Sequence, residues 1–65
     1  MRLLVNGEPR EVIARDISEL VNALGLTPAA SLVEHNGEAL RRDEWPARAL
    51  RDGDRIEIIR IAAGG

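Results

Sequence analysis

Asp16-Ile17-Ser18-Glu19-Leu20-Val21-Asn22-Ala23-Leu24-Gly25-Leu26 carries a helix together with its own start and stop signals. Asp16 followed three residues later by Glu19 is a capping-box arrangement, which satisfies N–H groups that the first turn leaves open. Ile17, Leu20, Val21 and Leu24 fall at i, i+3, i+4 and i+7, one apolar stripe. Gly25 supplies the left-handed residue that ends a helix, and Leu26 is placed to fold back on the last turn. The spacing predicts a helix of about two turns from Ile17 to Leu24. A helix this short is marginal alone in water, so its stripe must lie on something else.

The flanking sequence supplies strands for it to lie on. Arg2-Leu3-Leu4-Val5 and Pro9 to Arg15 flank Asn6-Gly7, and Asn-Gly between apolar runs signals a hairpin whose two turn positions need φ > 0. Beyond the helix, Thr27-Pro28 interrupts regular structure and Ala29-Ala30 leads into a strand, Ser31-Leu32-Val33-Glu34-His35. Asn36-Gly37 repeats the hairpin signal into a short strand, Glu38-Ala39-Leu40. The Asn-Gly-Glu at 6–8 and 36–38 marks two similar turns and no internal repeat, since nothing around the two matches. Arg41 to Leu50 reads as a polar, irregular stretch in which Asp43 is placed to cap a single turn and Trp45 to cover an edge of the core. Asp52-Gly53-Asp54 then turns into the last strand. The order strand, strand, helix, strand, short strand, strand is an α+β arrangement. With the first and last strands adjacent and parallel, it is the β-grasp: a mixed sheet of four to five strands with one main helix on one face.

The last strand runs Arg55-Ile56-Glu57-Ile58-Ile59-Arg60-Ile61. Residues two apart share a face, so Ile56 and Ile58 point one way and Ile59 and Ile61 the other. One pair is expected beneath the helix. The other is expected on the open face, as an apolar patch for a partner.

After Ile61 the side chains dwindle to Ala62-Ala63-Gly64-Gly65. Four extended residues reach roughly 13 Å, and glycine lets a backbone thread a narrow channel. The expectation is one domain over residues 1–61 with a flexible tail over 62–65 that carries the Gly65 carboxylate into another protein's active site.

At 65 residues the chain has room for one small core. It contains no cysteine, so it can build neither a disulfide framework nor a thiolate metal site, and it cannot hold sulfur as a cysteine persulfide. The formal charge is −2, and Trp45 is the lone aromatic residue among charges of both signs, which argues against a nucleic-acid partner. No run approaches the about 18 apolar residues of a membrane span, and Met1-Arg2-Leu3-Leu4-Val5 meets polar Asn6-Gly7-Glu8 too early for a signal peptide. No membrane partner is expected, and the expected location is cytoplasmic. All nine basic residues are arginine. Base composition is the simpler source of that bias, which leaves the N-terminus as the only intrinsic amine able to attack an activated acyl group.

Catalytic constellations are lacking. His35 has no second histidine or cysteine beside it, so a metal site is not expected and a strand-end role is. Asp52 and Asp54 lack the remaining calcium-loop ligands and suit a turn. Ser18 and Ser31 have no base to activate them.

The helix, the His35-Asn36-Gly37-Glu38 turn, Arg42-Asp43-Glu44-Trp45, Leu50 followed by Asp52-Gly53-Asp54, and the terminal Gly64-Gly65 together resemble the ThiS family of sulfur carrier proteins of thiamine biosynthesis, over the whole length. Ala62-Ala63 stand where that family more often shows a third glycine, so the match in the tail is to Gly64 and Gly65. The resemblance implies a ubiquitin-like β-grasp fold and a protein that is itself no enzyme. It implies adenylation of Gly65 by a ubiquitin-activating-like, ThiF-type adenylating enzyme that uses ATP and magnesium, with no cofactor bound by the chain itself. A sulfur donor protein and a ThiG-type thiazole synthase complete the set of implied partners, the latter receiving sulfur from the thiocarboxylate. The alternatives are a related β-grasp carrier for molybdopterin or cysteine synthesis and a β-grasp interaction module with no carrier role.

Overall fold

The computed structural model describes residues 1–61. The tail residues Ala62, Ala63, Gly64 and Gly65 lie outside the described residues. The elements in chain order are β1 (Arg2–Val5), β2 (Glu8–Glu11), α1 (Ile17–Ala23), a 3-10 turn (Pro28–Ala30), β3 (Ser31–His35), β4 (Glu38–Leu40), a second 3-10 segment (Arg42–Ala47) and β5 (Arg55–Arg60). The strands form one five-stranded sheet in the order β2-β1-β5-β3-β4. β1 and β5 are parallel neighbours, and the other pairings are antiparallel. With the helix on one face, this is the expected ubiquitin-like β-grasp.

Helix α1 is capped at both ends by the residues its sequence marks. Asp16 Oδ1 accepts the Glu19 N–H at 2.9 Å. Glu19 does not close the box on Asp16 but reaches one residue further back, accepting the Arg15 N–H at 2.8 Å, while the Arg15 guanidinium grips its other oxygen. At the far end Leu24 is the capping residue, not the last helical one. Gly25, at φ +71, donates to Asn22 O, and Leu26 donates to Val21 O. That double bond pattern is the Schellman stop. Ile17, Leu20 and Val21 are fully buried against Leu3, Val5, Val33, Ile56 and Ile58 of the sheet.

Three local expectations change. β2 ends at Glu11 instead of running to Arg15, because Glu11 pairs with Arg2, the first residue of β1, and past that only Val12 bonds back, to Met1 O. Ala29-Ala30 form a 3-10 turn begun by Pro28, whose fixed φ suits the first position of a helical turn. The stretch 41–50 is more regular than expected. Arg42–Ala47 is 3-10, and Glu44, not Asp43, caps it by accepting the Arg41 N–H at 2.7 Å. Asp43 pairs with the Arg41 side chain instead. This segment packs Trp45, only 2% exposed, into the core beside α1. No helix among the described residues is long and apolar enough to cross a membrane.

Candidate functional site

β5 is the central strand of the sheet and the last element before the tail residues. It is held on one side by the β3 ladder from Arg60 to Ile56. Ile61 N–H adds a bond to Ala30 O at 2.7 Å, so backbone pairing continues to the last described residue. On the other side β1 pairs with β5 only at Leu4–Arg55 and Val5–Ile56.

Beyond that point an asparagine side chain takes over from backbone. Asn6 Oδ1 accepts the Ile58 N–H at 2.7 Å, and Asn6 Nδ2 donates to Ile58 O at 3.2 Å. A primary amide carries one acceptor and one donor side by side, so it can stand in for a further residue of the ladder. Asn36 does the equivalent at the start of β5. Its Oδ1 accepts the Arg55 N–H at 2.8 Å, and its Nδ2 donates to Asp54 Oδ1 at 3.1 Å. Both asparagines sit at positive φ, +51 and +50, in the first central position of their turns. The two Asn-Gly turns therefore share a job that the sequence reading did not assign them: each fastens β5 with a side chain.

His35 closes the same end. It is buried, and its Nε2 donates to Asp54 Oδ2 at 2.8 Å, while Nδ1 has no partner. Burial would raise the Asp54 pKa, but donors from His35, Asn36 and the Arg51 N–H outweigh it and hold this carboxyl below its usual range. His35 thus has the expected strand-end role. Among the described residues no three His, Asp or Glu side chains converge as a metal centre would need.

The parity of β5 divides its isoleucines as expected. Ile56 and Ile58 are buried under α1. Ile59 and Ile61 stand on the opposite face, 55% and 46% exposed, with Leu32 of β3 directly across from Ile59 and 52% exposed. These three residues form an apolar patch on the open face of the sheet, at the end where the tail begins. Sequence reading placed Ile59 and Ile61 there but missed Leu32, which only the strand register supplies.

Comparison with known proteins agrees with this geometry. The ThiS family model matches residues 3–65. The sulfur carrier protein ThiS of Thermus thermophilus is 36% identical over 61 residues, which cover 94% of this chain and 95% of that protein. A thiazole synthase of Paramagnetospirillum magneticum is 33% identical over 66 residues, the whole of this chain but only 20% of the synthase. Among solved structures, the crystal structure of the thiamine biosynthesis protein ThiS from Geobacter metallireducens superposes with a TM-score of 0.83 at 38% identity and full coverage of both chains.

Proposed function

The chain belongs to the ThiS family, and from that membership we propose how this sulfur carrier of thiamine biosynthesis works: the Gly65 carboxylate is the atom group that is activated and loaded. The observation that supports the reading is the course of β5. It is the middle strand of the sheet, fastened on both sides as far as Ile58 and on one side to Ile61, and it leads directly into Ala62-Ala63-Gly64-Gly65.

An ionised carboxylate is a poor electrophile, because its charge is shared between two oxygens and it offers no leaving group. A ThiF-type adenylating enzyme would supply ATP and magnesium. One carboxylate oxygen attacks the α-phosphorus, pyrophosphate leaves, and the acyl group now carries AMP as its leaving group. Sulfur at the oxidation level of sulfide, brought by a donor protein, attacks the acyl carbon and expels AMP, which leaves a thiocarboxylate. That sulfur is the nucleophile passed to a ThiG-type thiazole synthase. The chain's own contribution is access. Gly65 has no side chain to shield its acyl carbon, and Gly64 lets the backbone lie against the walls of a cleft. Leu32, Ile59 and Ile61 form the apolar surface on which the partner rests.

The test is ATP–pyrophosphate exchange with the purified adenylating enzyme and intact carrier. Deleting Gly65 leaves the far-ultraviolet circular dichroism spectrum unchanged and abolishes exchange. Exchange at the rate of the intact chain refutes the assignment.

A further inference from the structure

An acyl-adenylate reacts with any amine that reaches it, and this chain carries its cations in a form that does not react. All nine basic residues are arginine. A guanidinium delocalises its charge and stays protonated, whereas a lysine ammonium releases its proton far more readily. At pH 8 about one lysine side chain in 250 is a free amine, a fraction at least about a hundredfold greater than for arginine. The arginines stand where this matters. Arg60 ends β5 and lines one shallow depression with Arg10, and Ile61 lines another with Arg41 and Arg42. The amine of Met1 is far from that end. It donates to Val12 O at 3.1 Å and faces a Glu11 carboxylate oxygen at 3.6 Å. β1 and β5 run parallel with Leu4 beside Arg55, so Met1 lies three residues behind that pair and Ile61 six ahead of it. The separation is roughly 30 Å at about 3.3 Å per residue, beyond the roughly 13 Å that four extended residues span. Ser31, the ladder partner of Arg60, is buried and donates its hydroxyl hydrogen to Thr27 O at 2.8 Å.

We propose that Arg60 determines what the activated Gly65 acyl group reacts with: it places a positive charge at the root of the tail in a form that does not compete with sulfur for the acyl carbon. The inference rests on the carrier reading. In an Arg60→Lys chain the same charge brings a nucleophile, and an amine on the same chain has a high effective molarity. The introduced Nζ, having lost one proton to solvent, attacks the Gly65 acyl carbon. The bond from that carbon to the AMP oxygen breaks, AMP leaves, and a second amine proton goes to water. The product is a lactam closed between residues 60 and 65, lighter than the intact chain by one water.

The test incubates the full chain, as wild type, R60K and R60Q, with the adenylating enzyme, ATP and magnesium, without and then with a sulfur donor. Intact mass and fragment ions are read. Without donor, wild type and R60Q show only the parent mass and its adenylate. R60K supports pyrophosphate exchange as wild type does and accumulates a species one water lighter, with the new bond between residues 60 and 65. Its rate of formation rises about tenfold per pH unit below the pKa of the amine. With donor, R60K loses thiocarboxylate to the lactam, and R60Q does not. An unmodified R60K overturns the proposal, as does loss of one water from wild type or R60Q. So does an R60K chain that has lost exchange, which makes the guanidinium a binding group instead. Wild-type protein that supports no exchange overturns the carrier reading and this one with it, whereas wild-type exchange with an unmodified R60K overturns this one alone.

Discussion

Replacing Asn6 with glycine isolates the side-chain clamp on β5, because glycine takes the φ of +51 without strain and removes only the amide. Even-numbered residues of β5 turn their backbone groups toward β1: Ile56 O accepts the Asn6 N–H, and Ile58 N–H and C=O are met by the Asn6 side chain. The variant leaves both Ile58 groups without those partners at a half-buried site. Each lost bond costs about 1 kcal/mol, and glycine adds about 0.5–1 kcal/mol through the entropy of the unfolded chain. The sum is about 2–3 kcal/mol, in a domain whose total stability is about 3–10 kcal/mol at this length. For so small a domain that lowers Tm by about 10–20 °C. Thermal unfolding followed by circular dichroism and by the fluorescence of Trp45, the lone and buried tryptophan, reads it directly. A fall of under about 4 °C refutes the reasoning and means that water replaces the amide at no cost.

Gly64→Val melts within about 2 °C of the parent, since it follows the last strand in sequence, but loses adenylation at least about a hundredfold because a β-branched side chain widens the tail; exchange kinetics check it. Ile59→Ser changes stability by no more than about 0.5 kcal/mol, as expected of an exposed position, and raises the carrier KM roughly tenfold in the same assay. Asp54→Asn exposes a pH dependence whose sign follows from the depressed folded pKa of Asp54. The wild-type carboxylate contributes stability above its unfolded value, near 3.8, and loses it as pH falls through the lower folded value. Urea titrations should therefore show wild type ahead of the variant at pH 6 and the gap closing below about pH 4; a gap independent of pH contradicts the assignment.

What could be read from the chain is what depends on neighbours in sequence. The stripe and caps of α1, the two Asn-Gly turns and the parity of Ile56, Ile58, Ile59 and Ile61 are local patterns with one geometric solution each. What could not be read depends on register. Asn6 meets Ile58 across 52 positions and Asn36 meets Arg55 across 19, and no spacing rule links them. The repeated Asn-Gly-Glu was the available signal, and read as turn chemistry alone it hides the second role of the side chain. The pairing of Leu32 with Ile59 likewise exists only once β3 and β5 are aligned. β2 stops short because β1 runs out, a limit set by the partner strand.

The proposed seat of the sulfur is the carboxylate of Gly65. Intact-mass and fragment-ion analysis of the chain after incubation with the adenylating enzyme, ATP and a sulfur donor tests it most directly. The expected result is a mass gain equal to exchange of one oxygen for one sulfur, confined to the C-terminal fragment that ends at Gly65. An unmodified mass under conditions where the enzyme consumes ATP, or sulfur found on any other residue, contradicts it.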